Sequence, residues 1–571
     1  MDPSMSNTAV TAEQGGTTTE TTPLLQAGNV TAVILAATAE PTRRQDDDEI
    51  ENPNRPKGFR FAVVYSCILL GDFFVGYDTS CVTTLTPVIS DEFHAIADVG
   101  WYGIAYILAL ASTILAFGQL YKFLPTKPVF LISFIVFAAG SVICAYATSS
   151  LFFIIGRAVA GLGGAGIFSG GSILIANIVP LHNRPVYQGI SGGVECISLA
   201  FGPAISGAIA HYYSWRISFL IIAPAALLNV LAVWSLVHGL PRPIHAGLPA
   251  KQTWRQLDIL GMILFVPTAA CLILALQWGG STLAWDDTLI TRLLGSAGVL
   301  FLVFVASQWL KGDAAMVPPA LLGRRCVALG SLTSFFTSAS LYIFGFFLPV
   351  YFQAIRGADT FQSGVMYLPS AASLALAVLA AGHVTGWVGY YTPVMVLGTV
   401  LMSAGAGMMT GFDGETPPEE WVAYQVVFNV GAGAAFQQPY TAVQTVLEDR
   451  YVPTAIVVLG FVQELGGIVA LAGAQNVFIS RLVMRFEGLG IGLDPRDVLG
   501  QGTLSLIDSV PEKLRRSAYV AYMRTLREVF CVGLLCACLT VFSVGIEWRS
   551  VRHEKIDEEE IHGTNGQNRE A

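Results

Sequence analysis

The amino-acid sequence predicts an all-α membrane protein. Of its 571 residues, 53% are hydrophobic and 12% are charged, which is about half the charged fraction of a typical soluble domain. The apolar residues form runs of about 20, the length of helix that crosses a hydrocarbon core. The charges cluster at residues 40–60, in short connecting segments, at 481–527 and after Glu547. A chain with this pattern places much of its surface in lipid.

Fourteen apolar runs can be placed as membrane-spanning helices. The predicted spans are 61–82, 98–120, 127–148, 151–178, 186–210, 217–237, 259–278, 290–309, 331–353, 363–387, 392–412, 421–441, 453–480 and 528–547. They group as six, two and six, so we predict two six-helix halves joined by two extra linker helices. An even number of crossings places both termini on one side of the membrane.

The placement of Lys and Arg predicts which side holds the termini. Sixteen of these residues flank the loops on the side of the termini, whereas the short loops of the other side hold only Arg216 and Arg356. Because basic residues accumulate in cytosolic loops, we expect both termini in the cytosol. The predicted segments are a disordered tail at 1–60, a first half at 61–237, a linker at 238–310, a second half at 311–547 with an extracellular loop at 481–527, and a tail at 548–571.

The motifs of enzymes and nucleotide-binding proteins are missing from the sequence. It contains no Walker loop, no HExxH and no GxSxG, and its nine cysteines form no CxxC pair. Residues 161–166 fit GxGxxG, but they lie inside a predicted span, where small residues allow close helix packing. No basic stripe indicates nucleic-acid binding. We therefore expect neither an enzyme nor a cofactor-binding protein, and the energy source must be an ion gradient.

Five ionisable residues lie inside predicted spans, where charge is costly and often marks function. They are Asp72, Asp78, Arg157, Glu195 and Glu464. A carboxylate that takes up a proton on one side and releases it on the other would couple transport to a proton gradient, so all five are candidates for proton coupling. The alternative is an interhelical pair or a hydrogen bond to the backbone. Both remain open, and we favour the structural alternative for Asp78 because it lies near the outer end of its span.

The fifth predicted span contains a helix-breaking element. Pro203 lacks a backbone N–H and clashes with the preceding turn, and Gly202 and Gly207 flank it. Together with Gly192 and Gly193, these residues predict a kinkable helix with a flat face. We interpret Gly202, Pro203 and Gly207 as a hinge or a seal between two moving halves, with plain helix packing as the alternative.

Neutral amides are frequent in the second half. They are Gln353, Gln425, Asn429, Gln437, Gln438, Gln444, Gln463, Gln475 and Asn476. Amides interleaved with aromatic residues and Met suit an amphiphilic organic substrate better than an ion, so we interpret them as candidates for a substrate lining. Some of them should instead bond helix to helix.

Eleven short strings resemble a known family over nearly all of residues 60–553. The chain resembles the major facilitator superfamily, specifically its fourteen-helix drug:proton antiporters as found among fungal toxin and multidrug efflux pumps. The strings are DEFH at 91–94, DVGWYG at 98–103, GR at 156–157, VPLHNRP at 179–185, GP at 202–203, WR at 215–216, LQWGG at 276–280, LPVYFQ at 348–353, GYYTP at 389–393, QQP at 437–439 and LGG at 465–467.

The resemblance implies alternating access of two six-helix halves around a midplane site. It ties Arg157 to proton coupling and Gly202 and Pro203 to the direction of exchange. Asp78 belongs to the first-helix signature. The chain departs from the family pattern at Lys122, where the loop motif has an Asp, and at Ser206, where the fifth-helix signature has a glycine. Glu195 and Glu464 also stand where many relatives are expected to be uncharged, which makes them candidates for this protein's own specificity.

The sequence therefore predicts secondary active efflux of an amphiphilic toxin, metabolite or drug by proton antiport. The alternatives are an importer of a siderophore or nutrient on the same fold, and a non-transporting membrane sensor. The expected partners are the small molecule, protons and the lipid bilayer, with no nucleic acid, and we expect a monomer. We expect the plasma membrane as the location, with the vacuolar membrane as the alternative because Glu20 to Leu25 resembles an acidic dileucine signal.

Overall fold

A computed structural model describes residues 56–95, 98–236, 257–280, 283–312, 315–358, 360–448, 450–490 and 514–551. These residues all belong to one compact unit, Asn54–Ala571. The predicted N-terminal tail up to residue 55, including the segment from Glu20 to Leu25, lies outside the described residues. So do residues 491–513 and the C-terminal tail from residue 552 onward.

The described part of the chain is built from long α-helices and contains no β-strand, only two isolated bridges. We label the helices in chain order: α1 Phe59–Phe93, α2 Val99–Phe123, α3 Thr126–Ala145, α4 Ser150–Ile178, α5 Arg184–Tyr212, α6 Trp215–Leu220 with Ile222–Leu236, α7 Ile259–Trp278, α8 Thr288–Lys311, α9 Arg325–Ala354, α10 Thr360–Val388, α11 Thr392–Met409, α12 Pro418–Phe436 with Gln438–Val446, α13 Val452–Glu487 and α14 Arg515–Leu539. A 3₁₀ turn, Thr540–Gly545, continues α14.

Thirteen helices in the described ranges are long and apolar enough to cross a membrane. The helix α12 is not among them, because Glu419, Glu420, Gln425 and Asn429 lower its hydropathy. The all-helical membrane fold is therefore confirmed. The count of fourteen crossings and the cytosolic position of the termini stay predictions.

The helices extend beyond several predicted spans. The helix α13 runs to Glu487, and α14 begins at Arg515, so the connection between them is shorter than the predicted loop 481–527. Side chains pair across the two extensions: Arg485 donates to the Thr525 hydroxyl at 2.7 Å and also to the Glu528 carboxylate. The charges that marked this region as a loop hold two helix ends together.

Glycines allow α2, α3 and α4 to approach closely. A Cβ on Gly161 would lie 2.2 Å from the Tyr106 carbonyl oxygen of α2, and one on Gly163 would lie 2.3 Å from the Phe137 nitrogen of α3. Distances below 3.0 Å are sterically forbidden, so these positions require glycine at this helix spacing. The GxGxxG pattern at 161–166 is thus a packing motif inside a helix, as predicted.

The first linker helix, α7, contacts both the N-terminal helices α1–α6 and the C-terminal helices α9–α14, whereas α8 packs mainly against α7. Ile273 of α7 packs with Ala111 of α2 and Ile468 of α13. The rings of Phe265 in α7 and Phe461 in α13 lie 4.9 Å apart. The linker therefore contacts both groups through α7, while the predicted boundaries of the halves and the linker stay predictions.

The loop between α7 and α8 also contacts both groups. The ring of Trp278 lies 5.2 Å from that of Trp101 in α2. Asn476 of α13 donates to the Gly279 carbonyl at 2.9 Å and accepts from the Trp285 indole N–H at 2.9 Å. Gly280, at φ 71°, lets Asn476 approach, since a Cβ there would lie 1.7 Å from its amide oxygen. The LQWGG string is therefore a structural connection, and Asn476 belongs to it.

At the opposite end of the linker helices, Asp258 organises a buried polar cluster. Its carboxylate accepts from Lys311 Nζ at 2.5 Å, Gln308 Nε2 at 2.7 Å, and the backbone N–H groups of Gly261 at 2.8 Å and Met316 at 3.0 Å. Burial alone would raise the pKa of Asp258, but these hydrogen bonds outweigh burial and hold the pKa below its usual value. The cluster therefore stabilises the fold at neutral pH, and that stabilisation is lost as the pH falls through the lowered pKa.

Replacing Asp258→Asn should destabilise the protein by about 1–3 kcal/mol, because the amide keeps one acceptor oxygen and turns an NH2 group toward the donors that the other oxygen served. The apparent melting temperature of a fluorescent fusion in detergent measures this loss. The matched control is Glu448→Gln, which removes an exposed pair with Arg450 at 2.8 Å and should leave the melting temperature unchanged. Equal shifts in the two variants would contradict the structural role of Asp258.

Candidate functional site

Three of the five ionisable residues predicted inside spans line two adjoining cavities. Cavity A lies beside Asp72 and Glu195, and cavity B lies beside Glu195 and Glu464. Phe168 of α4 and Glu195 of α5 belong to both linings. Along the two cavities the three carboxylates form one row, with Asp72 on α1, Glu195 on α5 and Glu464 on α13.

Asp72 is fixed by a neighbour on α5. The Ser191 hydroxyl donates to the Asp72 carboxylate, and the Asp72 residue is only 8% exposed. Ser191 lies four residues before Glu195, so both side chains project from one face of α5 toward cavity A. The contact joins the first and fifth helices beside the cavity.

Glu464 reaches cavity B from the C-terminal helices. The Tyr342 hydroxyl of α9 donates to one Glu464 oxygen at 3.1 Å, and Tyr342 also lines the cavity. Glu195, by contrast, accepts no hydrogen bond from any residue in the described ranges. The two acids of cavity B therefore come from α5 of the N-terminal helices and α13 of the C-terminal helices.

Asp78 and Arg157 form a buried ion pair. Arg157 Nη1 lies 2.6 Å from Asp78 Oδ2, and the two side chains are 1% and 0% exposed. Arg157 also donates to the Asp78 carbonyl at 3.1 Å and the Tyr102 carbonyl at 2.9 Å, and it stacks on the Tyr106 ring at 4.5 Å. The pair joins α1, α2 and α4, and it agrees with the structural alternative left open for Asp78.

The amides predicted as a substrate lining take several different positions. Gln437 and Gln463 line cavity A. Gln425 and Gln438 bond across helices, accepting from Ser370 at 2.7 Å and from Thr385 at 3.1 Å. Asn429 donates to the Gln425 carbonyl at 2.9 Å.

The remaining lining candidates do not border either cavity. Gln353 donates to the Ser363 hydroxyl at 2.9 Å. Gln444 is 3% exposed, and neither of its amide atoms has a hydrogen-bond partner within the described residues. Gln475 is half-buried on α13.

The predicted hinge residues pack within the N-terminal helices. A Cβ on Gly202 would lie 2.1 Å from the Ser80 hydroxyl oxygen, and one on Gly207 would lie 3.1 Å from Thr84 Cγ2. Ser80 and Thr84 both belong to α1, and α5 continues through Pro203. The structure thus places Gly202, Pro203 and Gly207 at the contact of α5 with α1, away from the C-terminal helices.

The contact between α5 and the C-terminal helices lies nearer the start of α5. A Cβ on Gly382 of α10 would lie 2.4 Å from the Pro185 carbonyl oxygen, and one on Gly189 would lie 3.0 Å from the Val378 carbonyl oxygen. Cys196 packs in the same contact with Ala375 and Val378. Gly192 borders Gln437, whose amide nitrogen would be 2.2 Å from an added Cβ.

Electrostatically, the two cavities are acidic. Their linings contain Asp72, Glu195 and Glu464 and, among the described residues, no Lys, Arg or His. In the part of the chain that the structure describes, no group of three or more His, Cys, Asp or Glu could hold a metal ion. The site can therefore bind protons, hydrogen-bond donors or cationic groups.

Sequence reasoning missed several lining residues. Gln188 and Ser191 precede Glu195 by seven and four residues, and helical periodicity alone would have placed them on its face. Tyr342, Tyr440 and Phe168 lie within apolar runs, where nothing in the sequence separates a lining residue from a core residue.

Comparison with known proteins decides the family. A model of the Major Facilitator Superfamily matches residues 68–471. The chain belongs to the major facilitator superfamily. It is therefore a transporter and not an enzyme.

Two fungal relatives of this major facilitator are named efflux pumps. It is 39% identical over 515 residues to the "MFS-type efflux pump MFS1" of Arthroderma benhamiae, covering 89% of this chain and 95% of the relative. It is 37% identical over 503 residues to the "Rubrofusarin-specific efflux pump aurT" of Gibberella zeae, covering 88% and 92%. The fold resembles the superfamily's proton:xylose symporter XylE at a TM-score of 0.56 and 13% identity, covering 86% of this chain and 97% of that one.

Removing one partner of the Asp78–Arg157 pair should strongly destabilise this major facilitator. Asp78→Asn leaves the guanidinium buried without its counterion, which costs about 3–5 kcal/mol. The double variant Asp78→Asn with Arg157→Gln removes both charges and should recover part of the loss. Melting temperatures of the wild type, both single variants and the double variant measure the coupling. Additive losses in the double variant would contradict a direct pair.

Replacing Gly382→Val should open the contact between α5 and α10, because the new side chain would overlap the Pro185 carbonyl. Cys196, 7% exposed in this contact, should then react faster with a maleimide in a chain whose other eight cysteines are replaced. Gly364→Val, in the same helix α10 with nothing within 4 Å of its Cβ position, is the control. Unchanged labelling of Cys196 in Gly382→Val would show that the contact does not limit access.

Proposed function

We propose that this major facilitator exports an amphiphilic small molecule in exchange for protons. The observation that carries the proposal is the row of carboxylates, Asp72, Glu195 and Glu464, on helices that would lie in the membrane. The proposal is supported by relatives that are named efflux pumps.

The carboxylates give the protein a way to couple two fluxes. An ionised carboxylate is costly within a membrane, and binding a proton or another cation removes that cost. Glu195 has no hydrogen-bond partner among the described residues, so its oxygens are available to a ligand. Asp72 and Glu464 each accept from a hydroxyl, of Ser191 and Tyr342 respectively, and both side chains border the same cavities.

The lining also has the mixed character that an amphiphile requires. In cavity A the aromatic rings of Phe168 and Phe436 share the lining with the amides of Gln437 and Gln463, and Leu110 adds an apolar side chain to cavity B. Ligand sites commonly combine a mostly apolar surface with a few placed polar groups.

Alternating access would require the two groups of helices to separate at one end. The glycine contact between α5 and α10, at Gly189 and Gly382, lies at the ends predicted to face the cytosol. Because it brings backbone against backbone, its separation needs no side chain to change conformation. We propose this contact as the cytosolic closure of the transport path, with the α5–α1 contact at Gly202 moving as part of the N-terminal helices.

The other sequence predictions complete the proposal. We place the protein in the plasma membrane as a monomer, with the vacuolar membrane as the alternative. The proton gradient is its energy source, with no cofactor. The predicted boundaries of tails, halves and linker stand as part of the same proposal.

Transport in inside-out vesicles with an acidic interior tests the function. At least one of two amphiphilic dyes, the cation rhodamine 6G and the neutral Nile red, should accumulate in wild-type vesicles, and a protonophore should abolish the accumulation. Glu195→Gln should reduce it to the level seen without a gradient, while membrane expression stays intact. Glu419→Gln, at an exposed position in the first turn of α12, should transport normally. The lack of gradient-dependent accumulation of either dye would contradict proton-coupled efflux.

A further inference from the structure

Glu195 and Glu464 face one cavity from opposite groups of helices. We propose that this carboxylate pair binds a cationic group on the cargo, so that the exported compounds are monocationic amphiphiles. The inference deepens the proposed efflux function and rests on it. The pair is then a specificity determinant as well as a proton site.

The first argument is the charge of the surroundings. The described residues lining both cavities include three carboxylates and no basic side chain. The nearest buried cation, Arg157, is paired with Asp78 at 2.6 Å and donates to two backbone carbonyls as well. Its charge is already neutralised, so it does not offset the acids of cavity B.

The second argument is the unused hydrogen-bonding capacity of the pair. Within the described ranges, Glu195 accepts no hydrogen bond and Glu464 accepts one, from Tyr342 at 3.1 Å. Two carboxylates have about four oxygen acceptors with several lone pairs between them. Both side chains line cavity B, so their free oxygens are available to a ligand in that cavity.

The third argument is the apolar and aromatic part of the lining. Phe168, Tyr106 and Tyr342 border cavity B together with Leu110 and Leu199. Aromatic faces attract cations, and the leucines suit an apolar body. A compound with a cationic centre and an apolar frame fits this combination, whereas an anion would meet like charge.

One site could then perform both halves of the exchange. A proton and a cationic cargo compete for the same carboxylate oxygens, so binding of one favours release of the other. In this conformation the free space of cavity B accommodates only a few water molecules. The cargo therefore enters when the two groups of helices move apart, and closure around Glu195 and Glu464 excludes it.

Two ions of matched size and opposite charge test the inference. Purified full-length protein in detergent is titrated with tetraphenylphosphonium and with tetraphenylborate, and binding is measured by calorimetry. The cation should bind and the anion should not. Glu195→Gln and Glu464→Gln should each weaken binding of the cation at least about tenfold, which corresponds to about 1.4 kcal/mol. Glu419→Gln is the matched control and should bind like the wild type.

A conservative variant separates loss of charge from loss of fold. Glu195→Asp keeps the charge and should bind the cation more tightly than Glu195→Gln, with all variants eluting as one peak in size exclusion. Equal binding of the two ions, or wild-type binding of the cation by both Gln variants, would overturn the inference.

The same protein preparations distinguish this inference from the proposed function. Gradient-driven accumulation of neutral Nile red without any binding of tetraphenylphosphonium would leave export standing and reject the cationic cargo. Binding of tetraphenylphosphonium that depends on Glu195 and Glu464, without gradient-driven transport of that ion, would support the site and reject proton-coupled efflux.

Discussion

The ion pair between Asp78 and Arg157 determines the electrostatics of the whole site. A guanidinium that is 1% exposed can remain buried only if a counterion and hydrogen-bond acceptors surround it. Asp78 supplies the charge, and the carbonyls of Asp78 and Tyr102 accept two further N–H groups. Because the pair is neutral as a unit, it offers no free cation to Asp72, Glu195 and Glu464. The described linings of the two cavities contain these acids and no Lys, Arg or His, so the cavities are acidic.

Close packing of the helices depends on glycine at a few positions. Gly161 and Gly163 bring α4 against α2 and α3, and Gly382 brings α10 against the start of α5. In hydrocarbon there is no hydrophobic force between helices, so close backbone contact and interhelical hydrogen bonds stabilise the bundle. The contact at Gly382 differs from the other two because it joins the N-terminal to the C-terminal helices. At Gly382 the backbones of α10 and α5 meet directly, with no large side chain interlocked between them.

The linker helices act at both of their ends. At one end, Trp278 meets Trp101 of α2, and Gly279 and Trp285 meet Asn476 of α13. At the other end, Asp258 holds α7, α8 and the backbone at Met316 together. The linker is therefore tied to α2 and to α13 at one end and held together by Asp258 at the other.

The amino-acid sequence alone shows that the chain is a bundle of membrane helices, because backbone groups in hydrocarbon must bond within their own segment and about 20 apolar residues span the core. It also located the acids Asp72, Glu195 and Glu464, since a charge within an apolar run stands out. It could not show that Glu195 and Glu464 share a cavity, or that Gln425 bonds to Ser370 while Gln437 lines cavity A. An amide or a carboxylate can serve a neighbouring helix or a ligand equally well, and the choice depends on which helix lies opposite. Those partners become visible in the folded chain, because contacts between distant segments arise from packing and leave no periodic signal in the sequence.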